Sequence, residues 1–125
     1  MLVHAGRLVV LDYEVIHWGD PTFDIGFAVT HFLSKAHHLA VHRETFVSAA
    51  LQFCTESDGE EIFNELAARH TLACMLARVA GRSPLEYLDD VERARQRRIV
   101  VKLMSSRCES VPEVVDAFAR QLNAD

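Results

Sequence analysis

The sequence predicts a mainly α-helical chain opened by one β-hairpin, and three observations carry that prediction. Two short apolar runs flank Ala5-Gly6, apolar residues recur at helical spacing from Ile25 to Leu122, and helix-starting residues recur between those stretches. Leu2-Val3-His4 and Arg7 to Leu11 read as strands around a two-residue turn, in which Gly6 supplies the positive φ that a tight hairpin needs. Leu8 to Leu11 is apolar at every position, a pattern that predicts cover on both faces. A two-stranded sheet is marginal alone, so a further expectation is an apolar surface around Leu2, Val3, Leu8 and Val10 left for another body to cover.

The second strand delivers Asp12 at its end. Trp18-Gly19-Asp20-Pro21 then reads as a helix start, with Asp20 as N-cap, Pro21 at the first helical position and Asp24 near the positive end of the dipole. This helix is expected to end between His37 and Ala40, with Ile25, Phe27, Ala28, Val29, Phe32 and Leu33 on its apolar face. A second helix spans Arg43 to Thr55 through Phe46, Val47, Ala50, Leu51 and Cys54, stopped by a Ser57-Asp58-Gly59 turn. Glu60 to Ala80 reads as a third and most buried helix, facing inward through Ile62, Phe63, Leu66, Ala67, Ala73, Leu76, Ala77 and Ala80, with Gly81 at C′. Ser83-Pro84 reads as the start of a fourth helix, Leu85 to about Arg107. The fifth starts at Ser110-Val111-Pro112 and runs to about Leu122, with Val114, Val115, Phe118 and Leu122 inward.

Composition bounds the function. With 125 residues the chain holds one core. Thirteen Lys+Arg against 18 Asp+Glu give a net charge of −5, which offers no general attraction for phosphate backbones and argues against a nucleic-acid partner. No apolar run approaches the roughly 20 residues that cross a bilayer, and the first residues lack the pattern of a secretory leader, so neither a membrane nor export is expected. Cys54, Cys74 and Cys108 are odd in number and far apart, which fits reduced, buried thiols and a cytoplasmic location.

Chemistry concentrates between Leu8 and Ala28, where Asp12, Glu14, Asp20 and Asp24 place four acids within 13 positions. Magnesium in phosphoryl-transfer sites is held by one or two carboxylates together with nucleotide phosphates, and Asp12 and Glu14 have that chemistry. The alternative for Asp12 is a solvated acid at a strand end. Asp20 is better read as a cap than as a ligand, and Asp24 as structural. His38 and His42 stand four apart, as zinc ligands do on helices, but the intervening Leu-Ala-Val lacks the Glu of that motif; a zinc hydrolase has only this spacing behind it. Arg93, Arg95, Arg97 and Arg98 lie beside Asp89, Asp90 and Glu92 and read as a solvated, partly paired helix face.

Val9-Val10-Leu11-Asp12-Tyr13-Glu14 followed by Gly19-Asp20-Pro21-Thr22-Phe23-Asp24 resembles the aminoglycoside phosphotransferase and choline kinase-like family of small-molecule kinases. A weaker likeness lies in Ala77 to Leu88, similar to a segment of the helical lobe in bacterial members. The resemblance implies a partial protein-kinase-like fold in which residues 1–125 form the C-terminal helical lobe. It also implies that Asp12 holds the Mg²⁺ bridging the ATP phosphates, that Glu14 is the last member of an Asp-x-Glu metal motif seen in some members, and that Asp24 buttresses the catalytic loop. The cofactors so implied are Mg²⁺ and ATP, and the partner is a small-molecule hydroxyl acceptor.

The departures from the family pattern are as informative. No His-Gly-Asp with an Asn five positions later occurs in the sequence, nor a glycine-rich phosphate loop, and Lys35 and Lys102, the only lysines, fall in helical patterns. Because phosphoryl transfer needs those parts together, the chain alone is expected to be inactive and to bind Mg²⁺ weakly. The same reading expects Met1 to be internal to a longer protein or the start of a truncated gene. The competing expectation is a non-enzymatic helical module that binds or self-associates, for instance as a homodimer through the hairpin.

Overall fold

A computed structural model describes residues 2–11, 18–56 and 63–124, and it is mainly helical with one small antiparallel hairpin. Strand β1 (Leu2–His4) pairs with β2 (Arg7–Val9) in the register Leu2 to Val9, Val3 to Leu8 and His4 to Arg7. Both turn residues take positive φ, 48° at Ala5 and 71° at Gly6, as a type I′ turn demands to match the strand twist. Strand β2 stops at Val9 rather than Leu11. Its apolar run is not covered on both faces: Val3 is 79% exposed, Leu8 65% and Val10 53%, because no helix packs extensively against the hairpin. Asp12 as the strand end lies outside the described residues, as does the side chain of Leu2.

Five helices build the core. Helix α1 (Pro21–His38) starts where the Asp20 carboxylate accepts the Thr22 backbone N–H at 2.9 Å, and the Lys35 ammonium complements the dipole in its last turn. A 3-10 turn (Ala40–His42) leads into α2 (Arg43–Glu56), which buries Val47, Ala50 and Cys54. The Ser57-Asp58-Gly59 stop lies outside the described residues.

Helix α3 (Glu65–Ala80) begins later than the apolar pattern suggests, since Asn64 caps it by accepting the Leu66 and Ala67 N–H groups at 2.9 and 3.2 Å. Its inward face is also rotated from expectation. Of the expected inward residues Phe63 and Ala67 are buried and Leu76 is partly buried, but Ala68, Thr71, Leu72, Cys74 and Met75 are buried too, whereas Leu66, Ala73, Ala77 and Ala80 are exposed; Ile62 is not described. The reason is proximity: α1 packs most extensively on α3, and at Gly26 the two backbones leave no room for a side chain. The Thr30 hydroxyl bridges this contact, donating to the Gly26 carbonyl at 2.8 Å and lying 3.2 Å from that of Thr71. Helix α1 therefore shares the central position expected of α3. Phe27, expected on its buried face, is 40% exposed.

Gly81 ends α3 at φ −90°, not in the left-handed region of a C′ glycine; a Cβ there would strike the Ala77 carbonyl oxygen instead. The next helix does not start at Leu85. Leu85 and Leu88 are buried in the connection, and α4 (Asp90–Met104) opens on a capping box in which Asp89 Oδ1 accepts the Glu92 N–H at 2.7 Å while Glu92 Oε2 accepts the Asp89 N–H at 2.9 Å. Helix α5 (Val111–Ala124) buries Val111, Val114, Val115, Phe118 and Leu122. Guanidinium groups tie down its C-terminus, where carbonyls lack intrahelical partners: Arg95 donates to the Leu122 carbonyl at 2.9 Å, and Arg43 reaches Asn123 Oδ1 at 2.8 Å. No described helix is long and apolar enough to cross a membrane.

One buried base ties stability to pH. His37, 5% exposed on α1 and facing groups of α2 and α4, has its pKa lowered from 6.5 chiefly by burial, with Arg95 and Arg43 adding to the effect and Gln96 and Glu92 opposing it. Unfolded chains bind a proton at this position as pH falls through 6.5 while the folded protein does not, so stability present above that pH is lost below it. His31, depressed mainly by burial, acts in the same direction. Urea midpoints should fall between about pH 7.5 and 5.5, and the fall should be smaller in His37→Gln. An unchanged slope in that variant would remove His37 as a source.

Candidate functional site

The residues singled out by the sequence fall on both sides of an undescribed stretch. Asp12 and Glu14 lie within residues 12–17, outside the described residues; Asp20 and Asp24 lie on the far side, at the start of α1. Asp24 is exposed in the first turn. Asp20 makes the cap, and Thr22 makes two bonds to it, from the backbone N–H at 2.9 Å and from the hydroxyl at 2.7 Å. These bonds hold the Asp20 carboxyl below the usual carboxylate range, the hydroxyl most strongly and the N–H next, and positive charge at His70 adds to them.

His70 was not among the residues the sequence marked. It reaches this corner from α3, 48 positions away, with Nδ1 3.1 Å from the Thr22 hydroxyl oxygen. Since that hydroxyl gives its proton to Asp20, the bond is made by an Nδ1–H of His70 donating to the Thr22 oxygen. The ring also packs edge-on against Phe23, centroids 5.8 Å apart. An Asp-Thr-His chain thus fixes the start of α1 to α3. Thr22, as a hydroxyl beside a capping Asp and Pro, was the available signal; nothing local pointed to its partner.

His38 and His42 do not converge. His38 Nδ1 meets both carboxylate oxygens of Glu92, at 2.9 and 3.1 Å, while His42 is exposed in the 3-10 turn. Among the described residues no three His, Cys, Asp or Glu side chains are grouped to hold a metal. Arg93 pairs with Asp90 at 3.3 Å and donates to the Leu85 carbonyl at 3.2 Å, so the arginine cluster serves as a partly paired face that also clamps the connection before α4. Burial pushes the Cys54 thiol up to about 11 and raises that of Cys74, leaving Cys108 as the most accessible thiol. Cys108 borders a cleft of about 300 Å³ with Leu72, Met104, Arg69 and Arg107, in which Arg69 is already paired with Glu65 at 2.6 Å.

Comparisons with family models, with curated proteins and with solved structures give no match to this chain.

Proposed function

We propose that this chain is the C-terminal helical-lobe part of an ATP-dependent phosphotransferase acting on a small-molecule hydroxyl, with a kinase-like fold of the aminoglycoside phosphotransferase and choline kinase-like kind. The observation that carries this reading is the order of the segment: an apolar strand, Asp12-Tyr13-Glu14, then Gly19-Asp20-Pro21-Thr22-Phe23-Asp24 opening a helix. Asp12 and Glu14 supply the hard oxygen donors that Mg²⁺ takes, and they would hold the ion; when bound it would neutralise charge on the transferring phosphate. The Asp20-Thr22-His70 chain positions the helix that follows them. Asp24 would support the catalytic loop. In these 125 residues neither a catalytic base motif nor a phosphate-binding lysine accompanies them, so the chain by itself is expected to be silent.

The test is to express the gene with its in-frame upstream codons and assay ATP-dependent phosphorylation of aminoglycoside, choline-like and sugar acceptors. Support is turnover by the extended protein, none by the 125-residue chain, and loss of turnover in the extended Asp12→Ala variant. Upstream codons that encode no His-Gly-Asp with an Asn five positions later would overturn the reading. So would turnover by the short chain.

A self-associating helical module is the second reading, and the exposed Val3 and Leu8 side chains, a cross-strand pair on one hairpin face, favour it. On that reading Val3→Asp with Leu8→Asp converts a dimer to a monomer in sedimentation. A wild-type chain that sediments as a monomer would eliminate it.

A further inference from the structure

Along the outer side of the α1 and α3 contact, basic and aromatic side chains gather without an acidic partner. The rings of Phe27 and His31 meet edge-on with centroids 4.8 Å apart, and Phe23 lies 6.3 Å from Phe27 at an interplanar angle of 21°. The Arg78 guanidinium stands 5.7 Å from the Phe27 centroid, and Lys35 Nζ stands 3.7 Å from that of Tyr87. His31 lies in the positive field of both Arg78 and Lys35, which together with burial keeps its imidazole neutral to lower pH than usual.

In a chain carrying a net charge of −5, this face gathers cations. No ion pair joins Arg78 or Lys35 to a carboxylate among the described residues. Glu92 acts on the neighbouring Tyr87, but its oxygens are occupied by His38 and the Asp89 N–H. Arg78 Nη1 donates to the carbonyl and hydroxyl of Ser83 at 2.9 and 3.2 Å, whereas its Nε is buried with no hydrogen-bond partner. Half-buried cations left without a counter-charge are costly, and an arriving anion relieves that cost. Beside them Phe23 and Phe27, 46% and 40% exposed, offer a flat ring surface that solvent would otherwise wet.

We propose that this face binds an aromatic phosphomonoester, its phosphoryl group among Arg78, Lys35 and His31 and its ring against Phe23 and Phe27. A dianion matches the three bases, and an attached ring matches the only exposed aromatic pair that borders them among the described residues. The assignment involves neither Asp12 nor Glu14, so it stands or falls apart from the phosphotransferase reading.

The experiment is a titration of the histidine-labelled 125-residue chain with phenyl phosphate, and in parallel with inorganic phosphate, followed by the His31 ring resonances in NMR. Phenyl phosphate should displace those resonances, raise the His31 titration midpoint and bind more tightly than inorganic phosphate. Arg78→Gln and Lys35→Gln should each weaken binding about tenfold or more, the scale of a charge-assisted hydrogen bond. Phe23→Ala should reduce phenyl phosphate to the affinity of inorganic phosphate. If Arg78→Gln does not fold, Lys35→Gln and Phe23→Ala decide. Still His31 resonances, equal affinity for the two phosphates, or binding untouched by Lys35→Gln would overturn the proposal.

Discussion

Valine at position 26 is expected to unfold much of the protein under conditions where the wild type is stable. A Cβ on Gly26 would lie 2.7 Å from the His70 Cβ and 2.7 Å from the Thr71 backbone nitrogen, so the obstacle is the body of α3 rather than a flexible side-chain tip. Alanine isolates the two opposing effects. It gains up to about 1 kcal/mol in helix propensity over glycine, while overpacking a tight contact costs about 1–3 kcal/mol and sometimes more. Gly26→Ala should therefore be destabilised modestly. Gly26→Val, with two further methyl groups and one rotamer to place them, should lose about 3 kcal/mol or more, a large share of the about 5–15 kcal/mol that holds a domain together. Separation of α1 from α3 would also pull His70 from Thr22 and the Thr71 carbonyl from the Thr30 hydroxyl, so both bonds should weaken with it. Urea unfolding followed by far-ultraviolet circular dichroism measures this, and a Gly26→Val protein as stable as wild type would mean that the helices do not meet here.

The same contact explains which parts of the fold were legible in the sequence. Local chemistry announces the hairpin turn at Ala5-Gly6, the Asp20-Pro21 start of α1 and the inward face of α5, because each rests on neighbours in sequence. The inward face of α3 was legible only in part: Ala67 is buried and Leu76 packs against the core as expected, but Leu66 is exposed, and the close approach of Gly26 to His70 and Thr71 turns Thr71, Leu72 and Met75 inward instead. Ser83-Pro84 carries the signature of a helix start, yet the reciprocal Asp89 and Glu92 cap competes better, and the residues between fold as a connection anchored by Leu85 and Leu88. For the candidate site the limit is similar. Asp20 could be read as a cap from its own neighbours, but His70 meets Thr22 only after α1 and α3 have packed.

Removal of the Phe118 ring should be the most damaging single truncation in α5. The side chain is fully buried, among the largest in the core, and joins the cluster that Val29, Leu33, Val47, Met75 and Val100 build between the helices. Deleting a ring of this size from a close-packed core costs about 3–5 kcal/mol, because the transfer term is lost and the surroundings collapse only partly into the cavity. Phe118→Leu restores much of the volume and should recover a large part of that loss. Val101→Ala, in α4 but 47% exposed, serves as the surface comparison and should change stability by less than about 1 kcal/mol. The polar ties of α5, from Arg95 to the Leu122 carbonyl and from Arg43 to Asn123, remain available in the Phe118→Ala protein. If they held the helix, its stability would approach that of wild type. The stabilisation lost with the buried ring exceeds the about 0.5–1.5 kcal/mol net worth of a typical hydrogen bond, so the expected result is a lower urea midpoint with an unchanged slope. A Phe118→Ala midpoint close to that of Val101→Ala would show instead that α5 is held by its end and not by its face.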